Sequence, residues 1–193
     1  SCDLGKVEYI DTLQGRQKAA RTFLNIASAG VSGEVDARVN RSRRRTSLTF
    51  LRATVATLFQ YKPQQITVDC DGKPFYSGSS YLVVVANGRC FGRGMWVAPQ
   101  ALINDGKFDV VLVEGMPRLR ILAALQTVFS GRHLKRSDVH HTLAAEVFVH
   151  SKDTPLGMDL DGEEAQGQDL RFTLQPGAVK VLVDPSSETL LGI

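Results

Sequence analysis

The chain has 193 residues, 43% of them hydrophobic and 22% charged, with a formal charge of +3. That length supports one well-buried domain, which removes roughly 70% of its unfolded surface from water, and no window approaches the ~20 apolar residues needed to cross a bilayer. So modest a charge gives no ground for nucleic-acid binding. The three cysteines, Cys2, Cys70 and Cys90, have neither metal-ligand spacing nor an even count, which points to reduced thiols in a soluble cytoplasmic protein.

The opening Ser1-Cys2-Asp3-Leu4-Gly5 lacks an initiator methionine, a basic region and an apolar region, so we expect a piece of a longer protein and not a signal peptide. Residues 4–10 and 21–28 carry strand-formers around a polar segment at 12–20, which reads as a hairpin. Gly30-Val31-Ser32-Gly33 ends the second strand, and a short helix follows over 34–39 with acidic residues early. After Arg41-Ser42-Arg43-Arg44-Arg45, Ser47 can cap a second helix in which Leu48, Leu51, Val55, Leu58 and Phe59 share a face up to about Gln60, ahead of Pro63. Ile66 and Val68 alternate with polar neighbours over 65–71, and Asp71-Gly72 turns the chain into another short strand.

The central stretch, residues 81–113, organises the rest. Leu82, Val83, Val84, Val85 and Ala86 read as a buried strand, and so does the run 108–113, which opens directly after Asn104-Asp105-Gly106. Between them lies a loop with Gly88, Gly92 and Gly94, whose carbonyls and the Asp105 carboxylate are suited to an ion or only to a turn. Pro117 starts a third helix with Leu119, Leu122, Ala123, Leu125, Gln126 and Phe129 in its repeat, ending at Gly131. The segments 139–150, 171–174 and 178–183 read as strands separated by turns. Many strands, about three helices and no regular βαβ alternation predict a β-rich, antiparallel α+β sandwich spanning 1–193.

Asp159-Leu160-Asp161-Gly162-Glu163-Glu164 places four carboxylates in a turn, a rim able to bind Mg²⁺ or accept a proton, or simply a solvated acidic turn. The basic run at 41–45 suits phosphate, anionic lipid or open solvent. His133, His140, His141 and His150 show no metal-binding pattern, and neither a GxSxG elbow nor a GxxxxGK[ST] loop is present.

Five segments in this order resemble one family. They are Asp3-Leu4-Gly5-Lys6-Val7, Phe23-Leu24-Asn25-Ile26-Ala27-Ser28-Ala29-Gly30, Asn87-Gly88 with Phe91-Gly92-Arg93-Gly94-Met95, Ala98-Pro99 through Asn104-Asp105-Gly106-Lys107-Phe108-Asp109-Val110, and Asp161-Gly162-Glu163. Together they resemble the C-terminal domain of the bacterial diacylglycerol kinase, YegS-like and sphingosine kinase group of lipid kinases, departing from it at Arg93, where glycine is usual. The resemblance implies a two-domain enzyme whose N-terminal, NAD-kinase-like domain carries a GGDGT-type motif for ATP. No such motif occurs in this chain.

In that family the residue matching Glu163 accepts the proton of the lipid hydroxyl, an aspartate of the missing motif competing for the role, with Asp161 and Gly162 beside the nucleotide and its Mg²⁺. A structural Mg²⁺ site maps to the carbonyls of Leu102 and Lys107 and the carboxylate of Asp105. The expected function is therefore transfer of the ATP γ-phosphate to a lipid hydroxyl, most naturally diacylglycerol, at a membrane surface approached peripherally. The isolated chain is expected to be inactive, nucleic acid is not an expected partner, and a homodimer is left open. The alternative is a non-catalytic lipid- or anion-binding sandwich.

Overall fold

A computed structural model describes residues 1–40, 47–92, 94–152 and 154–182; the basic run at 41–45, Arg93 and Val183 fall outside the described residues. The elements in order are β1 (Cys2–Asp11), β2 (Gln17–Phe23), β3 (Ile26–Gly30), α1 (Val31–Asn40), α2 (Ser47–Gln60), β4 (Gln64–Cys70), β5 (Lys73–Ala86) and β6 (Phe108–Glu114). They continue with α3 (Arg118–Val128), a single 3₁₀ turn (Arg132–Lys135), β7 (Val139–Ala144), β8 (Glu146–Ser151), β9 (Leu156–Leu160) and β10 (Glu163–Val179). Neighbouring strands pair antiparallel throughout the named elements, and three α-helices accompany them, as the sequence leads one to expect.

The pairing closes on itself. β10, β8, β4, β5, β3 and β9 follow one another and β9 pairs back to β10, while β1–β2 and β6–β7 extend from β10 and β5. Inside this ring lies the main core, with Val7, Phe23, Val68, Val83, Val85, Phe108, Val147, Leu170 and Phe172 among its members. Burial of its apolar surface, at about 25 cal/mol per Å², is the principal stabilising term. The three helices cover the outer face of β3, β5 and β6 and create a second apolar layer with Val84, Ala86 and Val111. The Tyr81–Ala86 part of β5 and most of β6 are thus covered on both faces, which is why these stretches are apolar runs and not alternating ones.

Four expectations are corrected. The strand read over 21–28 is two strands, broken at Leu24-Asn25, so that β2 pairs β1 whereas β3 pairs β5 and β9; β2 itself starts at Gln17, inside the segment read as loop. The short strand after Gly72 and the apolar run ending at Ala86 are one strand, because the polar Ser77–Ser80 stretch stays extended against β4 and the chain passes to β3 and β6 between Ser80 and Leu82 without a break.

The separate strands at 171–174 and 178–183 belong to one strand, β10, whose described part ends at Val179. Its turn-type residues form bulges: Asp169 and Gly177 adopt φ of 54° and 61°, and the ladder to β1 slips at both places while continuing on either side. Finally, α3 buries Ile121 and Ala124, with Leu125 half-buried, and leaves Leu119 and Phe129 exposed. Likewise α2 buries Leu58 and exposes Phe59.

Candidate functional site

The hairpin between β9 and β10 turns on Asp161 and Gly162, at φ of 54° and 91°, a left-handed pair that aspartate tolerates and glycine adopts freely. The Asp161 carboxylate reaches across to the β2–β3 break. There its Oδ2 accepts the Leu24 amide at 2.6 Å and its Oδ1 accepts those of Asn25 and Ile26 at 3.1 and 2.8 Å. Asp159, buried just before the turn, accepts the Gly162 amide at 2.6 Å. The acidic cluster is therefore a built junction: one carboxylate closes the hairpin and the other locks it to a neighbouring strand break.

The same junction holds the glycine-rich loop. Asn25 accepts the amides of Asn87 and Gly88 on its carbonyl, both at 2.9 Å, and donates its side-chain amide to the Cys90 carbonyl at 3.0 Å. Asn87 is fully buried and donates to the carbonyls of Asp3 and Leu24. A side chain at Gly88 would place its Cβ 2.1 Å from Asn25 Oδ1 and so force the Asn25 amide off its present position against the Cys90 carbonyl. Phe91 and Met95 then bridge each other through their backbones, folding the loop tip back.

Between this junction and the helices lies a cavity of about 640 Å³. Its walls come from α1 (Val31, Val35), α2 (Leu58), α3 (Ile121, Ala124, Leu125), the sheet (Val84, Val111) and the loop (Phe91, Met95), and they are overwhelmingly apolar. At one end the lining becomes polar, with Asn25, Asp159, Asp161 and Gly162. α1 can approach β9 closely enough to shape this end because Gly33 lies against Gly157, where any Cβ would meet backbone at 2.5 Å.

His133, buried on the cavity wall, sets its Nε2 2.9 Å from the Val97 carbonyl. A carbonyl only accepts, so Nε2 carries the proton. Burial holds the imidazole below its ordinary pKa, with the Val97 hydrogen bond opposing and His141 adding to the effect.

The expected site residues are not all together. Asp161 and Gly162 line the polar end of the cavity, whereas Glu163 stands on the outer rim with its side chain 80% exposed, 3.6 Å from Arg21 Nη1, and does not line the cavity. Register explains this: Glu163 lies opposite Leu160, and Glu164 lies opposite Asp159, so Glu164 shares the sheet face of the cavity-lining carboxylate. Asp159 belongs to the acidic rim read from the sequence, whereas Asn25 and Phe91 are site residues to which no role was assigned there. The Asn-Gly pair at 87–88, with no side chain to spare, was the available sign of a tight contact there.

Leu102, Asp105 and Lys107 form a separate turn. Asp105 is exposed and its Oδ1 accepts the Lys107 amide at 3.0 Å, closing its own turn. From beneath, the buried Asp3 carboxylate accepts the amides of Gly106 at 2.8 Å and Gly177 at 2.7 Å, tying this turn to a β10 bulge. Among the described residues no three His, Cys, Asp or Glu side chains gather as a metal-binding group. One carboxylate with one oxygen engaged, plus two backbone carbonyls, suits a weakly held hard cation completed by water. The thiols are free, and burial, reinforced by Asp71 and Asp69, pushes Cys70 up to about 12, so it is inert as a nucleophile.

No helix among the described residues is long and apolar enough to cross a membrane. Residues 25–183 match the YegS C-terminal NAD kinase beta sandwich-like domain. The chain is 25% identical over 181 residues to a protein named "Diacylglycerol kinase" from Mycobacterium tuberculosis (strain ATCC 25618 / H37Rv), covering 93% of this chain and 56% of that one. It is 29% identical over 174 residues to "Probable lipid kinase YegS-like" from Stenotrophomonas maltophilia (strain K279a), covering 87% and 54%. A crystal structure of a candidate diacylglycerol kinase from Bacillus anthracis str. Sterne superposes with a TM-score of 0.64 at 20% identity, over 91% of this chain and 54% of that one, a likeness of fold. The chain spans just over half the length of these relatives. It belongs to the YegS C-terminal β-sandwich-like family, the C-terminal domain of the diacylglycerol kinase and YegS-like lipid kinases it matches.

Proposed function

We propose that this chain is the lipid-holding, cleft-closing half of an ATP- and Mg²⁺-dependent kinase that phosphorylates the hydroxyl of a diacylglycerol-class lipid, its nucleotide being held mainly by an N-terminal domain. The observation that carries this reading is the cavity of about 640 Å³, overwhelmingly apolar in its lining, with its two carboxylates gathered at the Asp159–Gly162 hairpin. A pocket of that size and lining suits acyl chains, with the headgroup left at the mouth.

The rim then does the chemistry available to this chain. Glu163 is exposed on the hairpin rim outside the cavity, and a carboxylate brought within hydrogen-bond reach of the lipid hydroxyl can take its proton. Mg²⁺-bound ATP supplies the phosphoryl group when present. The Gly162 amide is already donated to Asp159, so the hairpin offers a nucleotide an edge to pack on and no phosphate cradle. The Leu102, Asp105 and Lys107 turn would hold a cation that steadies the loop. In this reading the enzyme works on the cytoplasmic side of a membrane surface, where ATP and a lipid substrate meet.

The test is turnover by the chain joined to its ATP-binding domain, with diacylglycerol in mixed micelles. Ala124→Phe, which fills the cavity wall, should raise KM for long-chain substrate far more than for a short-chain analogue. Equal effects on both chain lengths would sink the assignment of the cavity.

A further inference from the structure

The helix α3 and the residues flanking it carry apolar side chains on both sides. Ile121, Ala124, Leu125 and Val128 wall the cavity, yet the opposite side is not the polar surface of an ordinary covering helix. Leu119 is 78% exposed and Phe129, one residue past the helix, 46%. Trp96, 42% exposed, is held alongside by its amide, which donates to the Val128 carbonyl at 3.0 Å. Leu119 and Phe129 belong to the helical repeat read from the sequence, whereas the fold buries Ile121 and Ala124, which lie outside that repeat.

The charge around them is one-sided. Residues 116–137 contain Arg118, Arg120, Arg132, Lys135 and Arg136 and no aspartate or glutamate. Arg136 is paired with Asp138 at 2.7 Å, and Arg120 feels the same carboxylate at longer range. Arg118, Arg120, Arg132 and Lys135 are exposed and form no ion pair among the described residues. Arg132, Lys135 and Arg136 surround one shallow recess with Gln126, Thr127 and Ser130 at the end of the helix nearest Phe129.

We propose that this face, Leu119, Phe129 and Trp96 set among Arg118, Arg120, Arg132 and Lys135, docks the protein on an anionic lipid bilayer. Separate apolar prongs ringed by cations match the layered chemistry of a bilayer surface. Aromatic rings settle at the headgroup level, aliphatic tips reach the acyl boundary, and arginines and lysines meet phosphate. The occupant is a bilayer and not a protein or nucleic acid because α3 carries both contacts at once: one helix face on the membrane, the other on the acyl-sized cavity. The inference rests on the lipid reading of that cavity, but its test needs no turnover, so failure of phosphorylation and failure of docking are separate results.

Trp96 is the chain's single tryptophan and reports on the face directly. The 193-residue chain is mixed with phosphatidylcholine vesicles with and without phosphatidylglycerol. We expect a blue shift of Trp96 emission and its quenching by bromine-labelled acyl chains with the anionic vesicles, both weakening as salt is raised. Arg132→Glu with Lys135→Glu should lower vesicle affinity about tenfold or more. Leu119→Ser with Phe129→Ser, both exposed and so harmless to folding, should reduce quenching. Absence of binding, cosedimentation without a Trp96 shift, indifference to the charge reversals, or loss of binding only when the arginines at 41–45 are neutralised would each overturn the proposal.

Discussion

Replacing Asp161 separates a structural brace from a ligand-binding carboxylate. Three backbone amides converge on this one side chain at 2.6 to 3.1 Å, and no other described acceptor meets the Leu24 and Ile26 amides in the break between β2 and β3. Hydrogen bonds to a charged acceptor contribute about 1.5–3 kcal/mol each. Because Asp161 is exposed, water recovers part of that sum, and we expect Asp161→Ala to cost about 2–4 kcal/mol. For a domain of this size the loss corresponds to a fall in Tm of roughly 5–15 °C. Asp161→Asn keeps the left-handed turn and one acceptor oxygen but sets an amide against the Leu24 N–H, so about half that loss should follow. Thermal and urea unfolding of the chain without nucleotide decide the matter. A fall in Tm below about 2 °C for the alanine variant would show that the carboxylate does not hold the break.

Glu163→Gln in the enzyme joined to its ATP-binding domain should lower kcat by roughly 10²–10⁴-fold with Tm almost unchanged, since the side chain is 80% exposed; if Glu164→Gln produces that fall and Glu163→Gln does not, the base belongs to the cavity-side carboxylate. Millimolar Mg²⁺ should raise Tm slightly, and Asp105→Ala should abolish the increment; an unchanged increment in a thermal scan places the ion elsewhere. His133 has a folded pKa below its unfolded value of about 6.5, so the stability it contributes is present above that pH and is lost as pH falls through the folded pKa. His133→Gln, which retains a donor for the Val97 carbonyl, should therefore flatten the decline of Tm below about pH 6.5; an unaltered slope in the variant would refute this source of acid sensitivity.

Where a residue's type alone decided its place, the sequence was readable. The runs at β5 and β6 could only be strands buried on both faces, and Asp71-Gly72 and Asp161-Gly162 turn as such pairs do. What escaped was decided by partners distant in sequence. Nothing local to Leu24-Asn25 announces a break, because the carboxylate that stabilises it lies more than a hundred residues later, at Asp161. Asp169 and Pro176-Gly177 look like turns, and only the continuing ladder to β1 makes them bulges. The α3 repeat was read through Leu119 and Phe129, and tertiary packing buried Ile121 and Ala124 instead, a choice that spacing alone does not determine. At the site, the acidic turn with Asp159 and Asp161 was legible as a carboxylate cluster and the resemblance pointed to Asp161 and Gly162, while Asn25 became visible as a site residue only when the junction was assembled.

The ring's dependence on β10 also constrains how the protein comes into being. Cys2 finds its partner in Val179, and β8 and β9 need the same strand, so a growing chain can form the β4–β5 and β5–β6 hairpins but cannot complete its barrel-like closure until nearly its last described residue has left the ribosome. Contacts of such long sequence separation close slowly. Throughout synthesis β1 and β8 present unpaired edges, and a nascent chain of this kind is a natural client for chaperones that cover strand edges.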